Sequence, residues 1–465
     1  VGIQVNNFSF DPFHISLISK ILDIDSKNLK NKLSNKKKKY IVLNHNASQD
    51  ELNKLKEEKI PGIRSIYKYK RSYPEGEILS QVIGLTNFEN NGQEGIELSV
   101  NKKLSGKDGF KKYVRTNKGE IIETQIIQPN HGQDIQTTLD AKLQYLVYQE
   151  LKKAFDYYKA SSASAILVDL KSKDILAMAN YPSFNPNDRR GMNPNLLANR
   201  SATDLFEPGS TVKPLAIAGL LQEDVIYKDI IIKTSPGYIE YEGFLTSDFK
   251  DYGTLNLSDV ISKSSNVAMV KLCDKSNSEE IIKNFYKWGF GKYVNEIFIS
   301  NREGYLPSSA DLSAREKVSL CYGYGLQVTL IQLVGAYTAL FSNGQFQGLN
   351  LISGSYNGNE NEIISSEIAE EIKIMLSEAV NKGTGRNALV KNTRIIGKTG
   401  TTKRLTNEGY NEKSFNASFI GMAELDDKDY VLGILVRDAK ENGEGGGQVA
   451  APVFSKIIKS IQNTL

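Results

Sequence analysis

The sequence predicts an α+β fold for residues 135–465, with a sheet whose strands come from both ends of this region. Two strand-like segments lie early in this part, at residues 164–170 and 174–179, and three more follow residue 393. Between them, residues 185–390 are mostly helical and loop sequence. Strands at both ends with a helical insertion between them form an α+β arrangement.

The first third of the chain has a different composition. Residues 1–134 are polar and rich in Lys and Asn, with short strand signals and a turn-rich stretch at residues 129–134. A chain of 465 residues is also too long for one ordinary domain. We therefore expect one domain at residues 1–134 and a second domain at residues 135–465.

The elements of the second domain follow from side-chain periodicity. Residues 139–155 and 451–465 place apolar side chains at helical spacing, so each predicts an amphipathic helix. The two early strands are joined by a short polar turn and predict a hairpin. The later strand-like segments are residues 394–402, 415–423 and 430–437. Residues 318–341 carry no charge, but their Tyr, Gln and Thr side chains predict a buried core segment rather than a membrane span.

Charge and histidine content exclude several classes of protein. The 58 basic and 54 acidic residues leave a net charge of +4, which argues against a nucleic-acid-binding protein. All three histidines lie in the first third of the chain, at His14, His45 and His131. A catalytic site further along must therefore operate without a Ser-His-Asp triad or a His-ligated metal. We expect no metal and no cofactor.

The two cysteines, Cys273 and Cys321, are far apart in the sequence and form no Cys-x-x-Cys pair. This argues against a disulfide framework or a structural zinc site. We expect two buried small hydrophobic side chains, with a single bridge left open as the alternative.

The first candidate site opens a helix. Pro208 and Gly209 mark a turn, and an apolar run follows at residues 215–221. Ser210 therefore falls near the helix start, and Lys213 lies one helical turn later on the same face. A lysine whose pKa is lowered by burial or by nearby cations can remove the proton of a serine nucleophile. Taken alone, this pair is more often a helix cap beside a surface lysine.

The second candidate site, Ser264-Ser265-Asn266, follows a predicted helix. By itself such a motif is typical of a loop or a cap. In a catalytic site, the Ser264 hydroxyl could relay a proton between lysines and a leaving amine. Asn266 could hold substrate amide groups or the Lys213 side chain.

The third candidate site, Lys398-Thr399-Gly400-Thr401, lies on a predicted strand. Gly400 indicates the close approach of another backbone, such as that of a bound peptide. Lys398 and the two threonines could hold a carboxylate, and the N–H groups of Ser210 and Thr401 could form an oxyanion hole. In isolation, Lys-Thr-Gly is typical of an edge strand with a solvated lysine.

The three motifs together are far more specific than any one of them. They occur in the order and approximate spacing of the Ser-x-x-Lys, Ser-x-Asn and Lys-Thr-Gly set of penicillin-binding proteins and class A β-lactamases. The predicted catalytic residues are Ser210, Lys213, Ser264, Asn266 and Lys398. The predicted substrate-binding residues are Thr399, Gly400 and Thr401.

Over most of its length the chain resembles a class B penicillin-binding protein of the septal, cell-division type. The matching segments of the first part are residues 71–76, 84–86, 95–97 and 104–106. Those of the second part are residues 176–180, 199–200, 204–210, 322–329 and 451–454. Two departures are the missing glycine in the hairpin turn at residues 171–174 and Leu330, where the family commonly has proline.

The resemblance implies a serine β-lactamase-like transpeptidase domain, with an antiparallel sheet flanked by helices, on an elongated N-terminal pedestal. It implies cross-linking of peptidoglycan stem peptides through an acyl-enzyme on Ser210, and acylation of the same residue by β-lactams. It also implies one inner-membrane span before Val1, a periplasmic catalytic domain at the septum, and contacts with a septal glycosyltransferase and other division proteins. Since the chain begins without Met or a leader, we expect a removed targeting segment or an excised soluble portion.

Three alternatives remain open at this point. A β-lactamase shares the acylating residues, but the sequence offers no convincing Glu-x-x-x-Asn element for rapid deacylation, and a pedestal would be superfluous. A non-catalytic receptor or scaffold is disfavoured by the intact set of site residues. An elongation role instead of a septal one is distinguished only by the resemblance.

Nothing in the first part resembles a glycosyltransferase domain, which disfavours a bifunctional class A enzyme.

Overall fold

The computed structural model describes residues 2–4, 8, 11–34, 39–45, 47–65, 70–293, 301–354, 361–406, 409–426 and 428–464. Contacts between Cα atoms group the chain into two compact units. The first comprises Val1–Ser72 with Asn87–Asn90, and the second comprises Tyr73–Thr86 with Asn91–Leu465. The domain boundary at residue 134 stays a prediction, because a compact unit is defined by contacts and a domain by independent folding.

The first unit packs helices on a small antiparallel sheet. Its elements in chain order are β1 Gly2–Gln4, α1 Pro12–Ile21, α2 Ser26–Leu33, β2 Tyr40–Val42, α3 Gln49–Glu57 and β3 Ile63–Arg64. The strand order is β2-β1-β3. Each of the three helices has a side-chain N-cap, from Asp11, Asp25 and Ser48. Their apolar faces meet in a separate small core around Ile18 and Leu29.

The second unit begins with short elements. They are α4 Ser80–Ile83, β4 Leu85–Thr86, β5 Gly92–Glu94, α5 Gly95–Ser99, α6 Asn101–Leu104, β6 Phe110–Arg115 and β7 Ile121–Ile127. The β6–β7 hairpin is exposed along its whole length.

The remaining elements form the larger part of the second unit. Its helices are α7 Ala141–Tyr158, α8 Arg200–Thr203, α9 Lys213–Gln222, α10 Leu257–Lys263, α11 Asn266–Cys273, α12 Ser278–Lys287, α13 Ala314–Leu320, α14 Leu330–Phe341, α15 Ser366–Asn381, α16 Gly445–Gln448 and α17 Ala450–Gln462. Its strands are β8 Ser162–Asp169, β9 Ile175–Tyr181, β10 Ile232–Lys233, β11 Tyr238–Tyr241, β12 Phe244–Ser247, β13 Thr254–Leu255, β14 Gln345–Phe346, β15 Asn361–Glu362, β16 Arg394–Thr406, β17 Gly409–Leu425 and β18 Lys428–Arg437.

A five-stranded antiparallel sheet organises this region, in the order β16-β17-β18-β8-β9. The two early strands and the three late strands predicted from the sequence are its five members. The helices predicted at residues 139–155 and 451–465 are confirmed as α7 and α17. The α+β fold, with strands from both ends and helices inserted between them, is therefore confirmed.

Both faces of the central sheet are buried. Leu167 and its same-face neighbours pack with α7 and α17, whereas Ile166 packs with α9, α10, α14 and α15 on the other face. Because successive strand residues point to opposite faces, a strand covered on both sides is apolar at nearly every position. This explains the continuous apolar run of β8.

The uncharged segment at residues 318–341 is a buried core segment, as its polar side chains predicted. It contains the end of α13 and the whole of α14, in which every residue is buried. Thr329 caps α14 and forms a capping box with Gln332, so the helix starts at Leu330 without a proline at that position. Among the helices in the described ranges, none is long and apolar enough to span a membrane.

The cysteine prediction is corrected by the structure. Cys273 and Cys321 are both buried, as expected, but they form a disulfide between the end of α11 and the end of α13. Their Cα atoms lie 6.5 Å apart, within the range for a bridge. Sequence spacing does not reveal this pairing because it depends on how the two helices pack.

Candidate functional site

Ser210 lies in a 3-10 turn, Gly209–Val212, that leads directly into α9. Gly209 has a φ of +56°, and a Cβ atom there would lie 2.5 Å from Thr402 Cγ2. The Gly209 N–H donates to the Gly323 carbonyl oxygen at 3.1 Å. Glycine alone suits such a crowded, left-handed position. The turn is therefore held against β16, and Ser210 lines the adjacent cleft.

Lys213, the first residue of α9, is fully buried. Its Nζ donates to the Ser264 carbonyl oxygen at 2.6 Å, to Asn266 Oδ1 at 2.7 Å and to Ser264 Oγ at 3.3 Å. A lysine ammonium has three donors, and burial is costly when they lack partners. The segment between α10 and α11 supplies acceptors for all three.

The Ser264–Asn266 segment reaches Lys213 through a tight turn between two helices. Ser264 ends α10 with a φ of 58°, in the left-handed region that non-glycine residues seldom occupy. Ser265 then caps α11, since its hydroxyl accepts from the Ala268 N–H at 3.0 Å. Because α11 starts at Asn266, the turn directs the amide of Asn266 and both oxygens of Ser264 toward the lysine.

Lys398 lies on β16, the edge strand of the central sheet, and it too is fully buried. Its Nζ donates to Ser264 Oγ at 3.1 Å and to the Thr399 carbonyl oxygen at 3.2 Å. The alternative of an edge strand with a solvated lysine is therefore excluded. A single hydroxyl group, that of Ser264, contacts both buried lysines.

The two threonines of the strand motif line the same cleft as Ser210. Thr399 Oγ1 lies 2.7 Å from Thr384 Oγ1, in the loop after α15. Thr401 Oγ1 accepts from the Gly446 N–H at 2.9 Å. Each hydroxyl group is thus oriented by a segment outside β16, namely the loop after α15 for Thr399 and α16 for Thr401.

Another stretch of backbone lies close to Gly400, as predicted, but it belongs to this chain and not to a bound peptide. A Cβ atom at Gly400 would lie 2.4 Å from Ser418 Oγ, 2.8 Å from the Pro208 carbonyl oxygen and 2.9 Å from Thr211 Cγ2. The missing side chain lets β16 pack against the turn that carries Ser210. A substrate-binding role of Gly400 stays a prediction.

The two buried lysines differ in the groups that shift their pKa. Burial lowers the pKa of Lys213 well below its usual range, the Lys398 cation lowers it further, and Asp248 acts in the opposite direction. Burial alone lowers the pKa of Lys398 to about 7. Both side chains are therefore far more easily deprotonated at neutral pH than a surface lysine.

The cleft that these residues line is large enough for a peptide, with a volume of ≈ 910 Å³. Its lining includes Ser210, Ser264, Asn266, Thr399 and Thr401. Among the residues that the structure describes, no His, Cys, Asp and Glu cluster could hold a metal ion. The groove suits a polar ligand, and its lining includes both Ser210 and the Ser264 hydroxyl that contacts two buried lysines.

Three residues at the site were missed by the sequence reasoning. Asp248 accepts hydrogen bonds from the start of α11, and Thr384 contacts Thr399. The buried carboxylate of Glu207 accepts from the Gly325 N–H and from Tyr410 Oη, and burial raises its pKa. Glu207 adjoins the Ser210 turn in the sequence and could have been noticed. Asp248 and Thr384 are remote in the sequence from the groups that they contact.

Family models match both parts of the chain. The penicillin-binding protein transpeptidase domain matches residues 163–459, which contain all eight predicted site residues. The penicillin-binding protein dimerisation domain matches residues 9–137.

Individual relatives match nearly the whole chain. Peptidoglycan D,D-transpeptidase FtsI of Buchnera aphidicola is 36% identical over 430 residues, covering 92% of this chain and 75% of the relative. FtsI of Escherichia coli is 33% identical over 435 residues, which cover 93% of this chain and 74% of the relative. Among solved structures, penicillin-binding protein 3 of Mycobacterium tuberculosis in complex with aztreonam is 27% identical, with a TM-score of 0.74 over 85% of this chain and 90% of that one.

Proposed function

Because this chain belongs to the penicillin-binding proteins of the FtsI type, which are peptidoglycan D,D-transpeptidases, we propose that Ser210 is its acylated nucleophile. The observation that carries the proposal is the Ser264 hydroxyl, which contacts two buried lysines beside the Ser210 turn. Burial favours the neutral amine of a lysine, and a neutral amine can accept a proton. Such an arrangement replaces the histidine that the catalytic region lacks.

The proposed reaction is a two-step acyl transfer. Ser210 Oγ attacks the carbonyl carbon of the penultimate D-Ala while Lys213 accepts the hydroxyl proton. The C–N bond then breaks, and the terminal D-Ala leaves as an amine protonated by way of Ser264 and Lys398. An amine of a neighbouring stem peptide attacks the Ser210 ester, forms the cross-link and restores the Ser210 hydroxyl.

The remaining site residues are proposed to position the stem peptide. Asn266 would hold both Lys213 and a substrate amide. Thr399 and Thr401 would bind the terminal carboxylate, and β16 would pair with the extended peptide along Gly400 as an edge strand can. The backbone N–H groups of Ser210 and Thr401 would stabilise the oxyanion.

We further propose that β-lactams acylate Ser210 by the same route, which the aztreonam complex of the mycobacterial relative supports. An inner-membrane anchor before Val1, a periplasmic catalytic domain at the septum, and contacts with a septal glycosyltransferase and other division proteins belong to the same proposal. Depletion of the protein tests the septal role, since filaments indicate division and round cells indicate elongation.

The chemical test is mass spectrometry of the protein after treatment with penicillin. We expect one adduct on Ser210 and none in the Ser210→Ala variant. No adduct on Ser210, or an undiminished adduct in that variant, would contradict the proposal. Rapid turnover of a chromogenic cephalosporin by the same preparation would instead indicate a β-lactamase.

A further inference from the structure

Asp248 lies in the loop that follows the β11–β12 hairpin, and it lines the catalytic cleft. Its carboxylate accepts three hydrogen bonds. Oδ1 accepts from the Asn266 N–H at 2.5 Å and from the Val267 N–H at 3.1 Å, and Oδ2 accepts from Ser265 Oγ at 2.6 Å. All three donors lie at the start of α11.

These contacts fix the beginning of α11. The first N–H groups of a helix have no partner inside the helix, and a negative charge beside them is favourable. The Ser265 hydroxyl accepts from the Ala268 N–H while it donates to Asp248. The carboxylate and the N-cap therefore form one network, which sets where α11 starts.

The same network determines the position of the Asn266 side chain. Asn266 Nδ2 donates to the carbonyl oxygen of Ser247, the residue before Asp248, at 3.3 Å. Asn266 Oδ1 accepts from Lys213 Nζ at 2.7 Å. The amide is thus held on one side by the Asp248 loop and contacts Lys213 on the other.

Asp248 also supplies negative charge to a site with two lysines. Of the groups facing Lys213, Lys398 on β16 lowers its pKa and Asp248 raises it. Lys263 on α10 also lines the cleft and is paired with Asp259 at 2.8 Å, and Arg386 and Glu444 are further charged residues of the lining. Burial and Asp248 both raise the pKa of the nearby Tyr252 phenol.

We propose that Asp248 is a positioning residue of the acylation reaction, which holds Asn266 and, through Asn266, the Nζ of Lys213 in place for proton removal from Ser210. The inference rests on the proposed function. Asp248 has no role in this proposal as an acid, a base or a ligand of the substrate. Its effect is transmitted through α11 and through its charge.

The test compares Asp248→Asn with Asp251→Asn, since Asp251 belongs to the same loop but accepts from Ser235 Oγ and the Gly253 N–H. The readout is the second-order rate constant for Ser210 acylation by a fluorescent penicillin, from pH 5 to pH 10. For Asp248→Asn we expect the plateau value of this rate constant to fall roughly tenfold, which is the size typical for losing hydrogen bonds to a charged group. Asp251→Asn should retain the wild-type rate and pH profile.

The pH profile separates positioning from simple support of the fold. Because Asp248 raises the pKa of Lys213, its neutralisation should move the acid limb of the profile to lower pH. Asp248→Glu, which restores the charge, should move that limb back. An Asp248→Asn variant that only unfolds at lower temperature, with unchanged rate and pH profile, would overturn the inference. Absence of a Ser210 adduct in the wild-type protein would instead overturn the proposed function.

Discussion

The cleft beside Ser210 has two walls that each bury a lysine, but the two walls are built differently. The helical wall, residues 209–213 and 264–266, consists of a glycine turn, a helix start and a left-handed turn between helices. The strand wall, residues 398–401, belongs to the edge strand of a five-stranded sheet and pairs with β17 in unbroken register. The helical wall surrounds Lys213 with three acceptor contacts, whereas Lys398 has two.

This difference suggests that the two lysines have different roles in the reaction. Lys213 is closely held, and its pKa is shifted by burial, by Lys398 and by Asp248 together. Lys398 is shifted by burial alone, to about 7, so it can change protonation near neutral pH. We infer that the helical wall provides the base and the strand wall provides the donor. The predictions below test this assignment.

The largest effect is expected for Lys213→Met, which keeps the length and apolar stem of the side chain but removes the amine. Loss of a general base typically costs about 10³-fold, and the rate of Ser210 acylation by a fluorescent penicillin should fall by that amount. The matched control is Lys271→Met on α11, whose Nζ donates to the Lys233 carbonyl oxygen. If the acylation rate of Lys213→Met stayed within tenfold of the wild-type rate, another group would have to be the base.

A smaller fall, about 10²-fold, is expected for Lys398→Met, because the Ser264 hydroxyl retains its contact with Lys213. The sign of the pH shift is opposite to that of Asp248→Asn. Lys398 lowers the pKa of Lys213, so removal of its charge should raise that pKa and move the acid limb to higher pH. An acid limb that stays in place would show that the two lysines do not interact.

The two walls also differ in how far the sequence alone predicts them. Strand periodicity located β16, and the motif spacing placed Ser210, Lys213 and Lys398 on the correct elements, because these features depend on neighbours in the sequence. Asp248 was missed because its contact with Asn266 depends on the fold of the β11–β12 hairpin. The Cys273–Cys321 bridge was left only as an alternative for the same reason, since it requires α11 to pack beside α13.

Burial of Lys398 should reduce stability in a pH-dependent way. Its pKa is about 7 in the folded protein and about 10.4 in an unfolded chain, so between these values the unfolded state binds more protons. The contribution of this group to stability therefore rises with pH across that window. Lys398→Met should raise the melting temperature at pH 7, with a smaller gain toward pH 10. Lys263→Met, on a lysine paired with Asp259 near the surface, should show no such gain.

The smallest effect is expected where the strand wall meets the loop after α15. Thr384 Oγ1 and Thr399 Oγ1 lie 2.7 Å apart, so Thr384→Val removes one hydroxyl group without changing the size of the side chain. The Thr399 hydroxyl then loses an orienting partner but keeps its place on β16. A neutral hydrogen bond contributes about 1 kcal/mol, so acylation should slow by about fivefold.

The control for this variant is Thr393→Val, because Thr393 Oγ1 accepts from Gln462 Nε2 next to the start of β16, among residues that do not line the cleft. It should leave the acylation rate unchanged. If Thr384→Val slowed acylation as much as Lys398→Met, the loop would have to be counted as part of the catalytic machinery. In that case the strand wall, like the helical wall, would depend strongly on residues outside its own motif. The proposed difference between the two walls would then be wrong.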